Sequence, residues 1–210
     1  YYGLLNHLDD QIRRILAPVT GVDRMTGNNT VVMLSSDHGE LLGDHYLWRK
    51  TLPYEGSARV PLLLRAPERF GLQPNTVRNE PVCLADLMAT ILDFAGVPIP
   101  DSVDGLSLLP LAQGRHCSWR DFAHGEHSSC YSPDEEMHYL TDGNVKYVWF
   151  PRTGREQLFD LDRDPQELQD RSTDPAQAAL LGQMRLRLVS ELRPRDCGLT
   201  AGEQLVVQDQ

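Results

Sequence analysis

The sequence has no long apolar run. Its longest stretches, such as 31–34 and 60–64, fall far short of the roughly 20 residues that a membrane-crossing helix needs. No basic-then-apolar leader opens it either, so nothing in it asks for a bilayer. Positive charge is scarce: 20 Lys and Arg stand against 30 Asp and Glu, a formal net charge of -10. That balance argues against nucleic acid or an anionic membrane as partner, because both demand clustered cations; an anionic small substrate then needs a local positive site. Cysteine is sparse as well. Cys83, Cys117, Cys130 and Cys197 are widely spaced in a chain with ample core, so no disulfide framework is required. Reduced thiols are expected, and with them a soluble protein in the cytoplasm in preference to an exported one.

What is present is an ordinary globular composition, 40% hydrophobic and 24% charged over 210 residues, enough for one large or two small domains. Leu4, Leu5, Leu8, Ile12, Ile15 and Leu16 recur at helical spacing from the first turn on, which predicts an amphipathic helix ending near Pro18 and covering one face of a sheet. That periodicity starts at once, without an initiator Met, so the sequence is expected to continue a longer chain. After the turn-rich Thr26-Gly27-Asn28-Asn29, the run Thr30-Val31-Val32-Met33-Leu34-Ser35 predicts a strand buried on both faces of a parallel, helix-flanked sheet. Val60-Pro61-Leu62-Leu63-Leu64 is the next strand. A helix over 84–95 follows, closed by Gly96 and Pro98.

The fold class expected is α/β, a parallel or mixed sheet sandwiched by helices over 1–113, joined to a small α+β antiparallel subdomain over 114–210. In the second part, Val145-Lys146-Tyr147-Val148-Trp149-Phe150 and Gln157-Leu158-Phe159-Asp160-Leu161 flank a Gly-containing loop as a hairpin. Residues 175–192 make a closing helix. The tail from Arg193 to Gln210 lacks a period and is expected to be peripheral or partly disordered.

The chemistry concentrates where the buried strand runs out, in Ser35-Ser36-Asp37-His38-Gly39-Glu40-Leu41-Leu42-Gly43-Asp44-His45, with Lys50 close behind. Strand C-terminal ends are where α/β sheets bind ligands. Asp37 offers a carboxylate oxygen and His38 an imidazole nitrogen to a divalent cation, while Gly39 lets the backbone turn. As a bare tripeptide, Asp-His-Gly fits a simple capping turn equally well.

The wider pattern resembles the sulfatase (arylsulfatase) family of the alkaline-phosphatase-like superfamily. The resemblance rests on Ser36-Asp37-His38-Gly39-Glu40, Leu42-Gly43-Asp44-His45, Lys50 and Tyr54-Glu55-Gly56-Ser57-Ala58-Arg59-Val60-Pro61, in that order. More loosely it takes in the opening helix, Asp104-Gly105-Leu106-Ser107-Leu108-Leu109-Pro110 and Asp164-Pro165-Gln166-Glu167, where it looks structural. It implies that Asp37 and His38 ligate a divalent metal, usually Ca²⁺, and that Lys50 contacts the sulfate oxygens of a sulfated small molecule or sugar. A metal and an ammonium suit an oxyanion whose charge lies on its outer oxygens. His45 either protonates the leaving oxygen or holds the loop. Glu55 and Arg59 are expected to form a buried pair fixing that loop.

Sulfatases also use a formylglycine made in a Cys/Ser-x-Pro/Ala-x-Arg motif, and none of the four cysteines heads one. The resemblance places that nucleophile upstream of the opening helix, so these residues are expected to supply half a site and to be inactive alone. Three readings compete with a sulfatase. A phosphonate monoester hydrolase or phosphodiesterase of the same superfamily shares the Asp-His pair and the Lys. A truncated, non-catalytic binding module is the second. The third sets the spacing His124-x-x-His127-x-x-Cys130 apart as a zinc site, whereas His124 and His127 lining the substrate pocket is the milder reading.

Overall fold

A computed structural model describes residues 1–20, 29–128 and 130–208. Of the turn expected at 26–29, residues 26–28 lie outside them. The chain divides into two compact units, one of residues 1–35, 61–78 and 84–117, the other of 36–60, 79–83 and 118–210. The last crossing between them is at 117/118. The segment 36–60, however, groups with the second unit.

The first unit opens with α1 (Tyr2–Thr20), two residues beyond the expected end, since a proline in a last turn forfeits little more than its own N–H bond. The helix is amphipathic as predicted, yet Leu4, Leu8 and Ile15 are each more than half exposed. β1 (Val32–Ser35) pairs antiparallel with β2 (Leu62–Arg65), Leu34 opposite Leu63. This corrects the expected parallel neighbour and two-sided burial. Two four-residue strands, the only pairing of β1 among the described residues, cannot cover both of its faces or occupy a whole helix; Leu34 stays 38% exposed.

α3 (Ala85–Ala95) follows the pattern read from sequence. It ends at Gly96 (φ 68°), whose left-handed conformation lets the amides of Gly96 and Val97 return to the carbonyls of Asp93 and Leu92. The Asp104-Gly105-Leu106 segment leads into α4 (Leu109–Ala112) and clamps α3. The buried Asp86 carboxylate accepts the Leu106 N–H at 2.8 Å, the Thr90 hydroxyl accepts the Leu108 N–H at 2.9 Å, and a Cβ on Gly105 would stand 2.1 Å from the Ala85 carbonyl oxygen.

The second unit is built on an antiparallel meander of β3 (Ala123–His127), β4 (Met137–Thr141), β5 (Val145–Trp149) and β6 (Glu156–Asp160). The predicted hairpin is β5–β6, with Gly154 at φ 69° in its loop. α5 (Ala178–Leu192) covers one face: Leu181, Met184, Leu188 and Leu192 pack with Leu140, Tyr147, Trp149 and Leu158. The other face is covered from 36–60, where Leu41 and Tyr54 pack with Met137, Val148, Phe150 and Phe159. Covered on both sides, β5 reads as an apolar run interrupted only by Lys146.

The tail departs from the expectation of disorder. Leu199 is 4% exposed and joins the α5 cluster. β7 (Thr200–Ala201) and β8 (Gln204–Leu205) form a small hairpin, and the Gln208 N–H donates to the Pro151 carbonyl at 2.9 Å. A two-residue strand is too short to show a period, which is why sequence patterning missed it. Among the described residues no helix is long and apolar enough to cross a membrane.

Candidate active site

Asp37, His38 and Lys50 converge within the second unit. The Asp37 carboxylate, 84% exposed, lies with Oδ2 3.6 Å from His38 Nε2. Its Oδ1 accepts the His38 backbone N–H at 3.0 Å, and that bond, followed by the nearby imidazole, holds the carboxyl below its ordinary value. His38 Nδ1 stands 2.7 Å from the Gly39 carbonyl oxygen. A carbonyl can only accept, so Nδ1 carries the proton and Nε2 presents its lone pair. Lys50 Nζ lies 2.6 Å from that lone pair. A carboxylate oxygen and an imidazole lone pair directed to one place, with an ammonium already drawn there, is a donor set that fits a divalent cation.

The loop is fastened to α2 (Glu55–Ala58) through its backbone. The Gly39 N–H donates to Ser57 O at 2.8 Å and the Glu40 N–H to Gly56 O at 2.7 Å. A Cβ on Gly39 would meet Gly56 O at 2.1 Å, so glycine here is a demand of close approach. Further along, the Ser57 hydroxyl donates to Lys50 O at 2.8 Å, and the Leu41 N–H to Arg49 O at 2.9 Å. Arg49, at φ 73°, donates to the Tyr131 hydroxyl at 2.6 Å and so joins the loop to the segment after β3.

The pair expected to fix this loop is corrected. Arg59 is mostly exposed and only 3.5 Å from Glu55 Oε2. The buried partner of Glu55 is Lys146 on β5, 1% exposed at its side chain, whose ammonium reaches Glu55 Oε1, Glu167 Oε1 and Pro53 O, each at 2.7 Å. All three of its protons are used. Glu167 Oε2 accepts the Glu55 N–H at 2.6 Å. Burial pushes the Glu167 carboxyl up, and Lys146 draws it back only partly. The signal was present as a lone lysine inside the apolar run Val145-Lys146-Tyr147-Val148; its partners are 91 and 21 residues away, beyond any local pattern.

His45, at φ 54°, stacks on Tyr54 with centroids 3.8 Å apart and rings 14° from parallel. His124 lies within hydrogen-bonding distance of His138 (Nε2 to Nδ1, 3.2 Å) and accepts from Arg195. His127 lines a pocket shared with Glu126 and His138, and its Nδ1 is buried without a partner among the described residues. The spacing His124, His127, Cys130 does not describe the group formed. Among the described residues, the metal-ligating side chains whose atoms lie within 4.8 Å of one another are His124, Glu126 and His138. Register explains it, since β3 pairs with β4 so that Glu126 faces His138.

The fold these elements make is the C-terminal part of an alkaline-phosphatase-like α/β fold. A phosphonate monoester hydrolase from Silicibacter pomeroyi matches 99% of the chain with a TM-score of 0.79 at 30% identity, over 44% of its own length. A protein solved with its substrate D-glucosamine-2-N,6-O-disulfate matches 92% at TM-score 0.79 and 22% identity, over 40% of its length. The chain belongs to the sulfatase family, in the branch described as "N-sulphoglucosamine sulphohydrolase, C-terminal", whose sequence model matches residues 43–193. An arylsulfatase of Clostridium perfringens is 41% identical over 207 residues, 98% of this chain and 42% of that protein. The chain thus spans less than half the length of these relatives.

Proposed function

We propose that the intact protein hydrolyses organic sulfate esters, with this chain contributing Asp37 and His38 as two ligands of a divalent cation, Ca²⁺, and Lys50 as a contact to the sulfate oxygens. The observation that carries this is the meeting of Asp37 Oδ2, the His38 Nε2 lone pair and Lys50 Nζ within hydrogen-bonding to ligating range. Bound there, the cation supplies Lewis-acid stabilisation of oxyanion charge. The chain's own residues do the rest of the arranging. The Gly39 carbonyl fixes the His38 tautomer, the Asp37 carboxyl stays ionised across the neutral range, and Lys50 sits where it can transfer its hydrogen bond from His38 to an anionic ligand. The stacking on Tyr54 supports a loop-holding role for His45, whose replacement by Asn should then leave the pH profile of turnover unshifted. A nucleophile of the formylglycine type, the resident group of the family, is expected from residues other than these. The arylsulfatase relative supports a sulfate ester as the substrate class, as a small molecule or a sulfated sugar.

In the intact enzyme, Asp37→Ala is expected to abolish metal-dependent turnover of an aryl sulfate, and Lys50→Ala to lower kcat/KM by about 10²-fold or more, both with unchanged circular dichroism. Unchanged turnover of Asp37→Ala at saturating substrate would refute the ligand assignment. The likeness to a phosphonate monoester hydrolase keeps a second reading in view, and relative kcat/KM on aryl sulfates and phosphonate monoesters decides between them.

A further inference from the structure

We propose that His124, Glu126 and His138 form a second metal site, for a zinc-class transition ion, on the β3–β4 face and independent of Asp37 and His38. The three ligating atoms already stand at the corners such an ion requires. His124 Nε2 is 3.2 Å from His138 Nδ1, Glu126 Oε2 is 3.4 Å from His138 Nδ1, and it is 3.9 Å from His124 Nε2. Ligands about 2.1 Å from a tetrahedral ion are separated by about 3.4 Å. Two imidazoles and one carboxylate select a borderline ion over Ca²⁺, which takes six or more oxygens.

The rings are held for the task. They stack with centroids 5.4 Å apart and 11° from parallel, and His138 stacks in turn on Trp149. Both side chains are less than a tenth exposed. Burial, with Arg195 next, lowers His124 to about 4, and burial lowers His138 as well. Glu126 is half exposed and stands at a pocket of about 540 Å³ also lined by His138, Arg195 and Cys197, which leaves a fourth position for water.

Arg195 now supplies the cation. Its guanidinium donates to Glu126 Oε2 at 2.7 Å, to His124 Nδ1 at 3.0 Å and to Glu191 Oε1 at 3.2 Å. While Arg195 donates to Nδ1, the proton of neutral His124 lies on Nε2, between the two histidines. Binding therefore requires Arg195 to release His124, whose proton moves to Nδ1. Glu191 Oε1, 4.0 Å from that nitrogen, is then the acceptor, completing a carboxylate–histidine–metal arrangement. Arginine and metal ion compete for one cluster.

Titration of the full chain with Co²⁺ and Zn²⁺ at pH 7 tests this. Wild type and Asp37→Ala should each show one equivalent of Co²⁺ with the intense visible bands of four-coordination, displaced by Zn²⁺. Glu126→Gln, at a half-exposed position where folding is not at stake, should weaken Zn²⁺ by more than about tenfold, His138→Gln should remove the bands, and Arg195→Gln should tighten binding. Absence of such bands in wild type, an unchanged Zn²⁺ affinity in Glu126→Gln, survival of the bands in His138→Gln, or their loss in Asp37→Ala would overturn the site. Asp37→Ala turnover tests the sulfatase reading separately.

Discussion

Lys146 shows how much rests on one side chain. Its ammonium is buried and shared by two carboxylates and a carbonyl, so removing it strands Glu167, itself 3% exposed. Lys146→Met is expected to lower unfolding free energy by about 3–5 kcal/mol, read by denaturant titration. Gly39→Ala acts through geometry alone. With Gly56 O 2.1 Å from the new methyl, the Gly39–Ser57 and Glu40–Gly56 hydrogen bonds must lengthen and carry His38 away from Lys50. The expected result is a larger loss in kcat/KM than in thermal midpoint, measured on the intact enzyme. The meeting of Asp37, His38 and Lys50 could be anticipated from the sequence because all three lie within one short segment. The partners of Lys146 and Glu126 could not, because the packing of distant segments brings Glu55 and Glu167 to Lys146 and strand register brings Glu126 to His138.

At the scale of elements, α5 and β5–β6 carry the second unit. Leu188 is fully buried between helix and sheet, so Leu188→Ala should cost about 2–5 kcal/mol. The same interface carries a charge pair. Burial would raise the Glu156 carboxyl, but the bidentate Arg185 guanidinium and the Tyr147 hydroxyl hold it below its ordinary value. A carboxyl depressed in the fold gives stability that is fully present above its unfolded value, about 4.3, and is lost as pH falls through the folded value. Glu156→Gln should therefore flatten the acid limb of a stability-versus-pH curve below about pH 5 and lower the plateau above it. Helices and the β5–β6 hairpin were readable because each has its own period and its own stop, such as Gly96 and Gly154. The β1–β2 pairing was not, since a short apolar run does not declare its neighbour's direction.

For the whole molecule, apolar burial is uneven. Among the described residues both clusters of buried apolar side chains lie in the second unit, while α1 exposes Leu4, Leu8 and Ile15. Hydrogen exchange should follow that division, with amides of β4, β5 and α5 protected longest and those of α1 exchanging first; equal protection in α1 and α5 would contradict it. The α/β class was legible from the alternation of runs, but the grouping of 36–60 with the antiparallel sheet was not, because it depends on Leu41 and Tyr54 docking on side chains about a hundred residues away. The fastening of Lys146 has a practical corollary. Lys50 and Lys146 are the only lysines in the sequence, and the second has no free proton and no solvent. Within this chain an amine-directed acylating reagent applied to the folded state therefore has one side-chain target, Lys50, and a peptide map of these residues reports ligand occupancy at Lys50 alone.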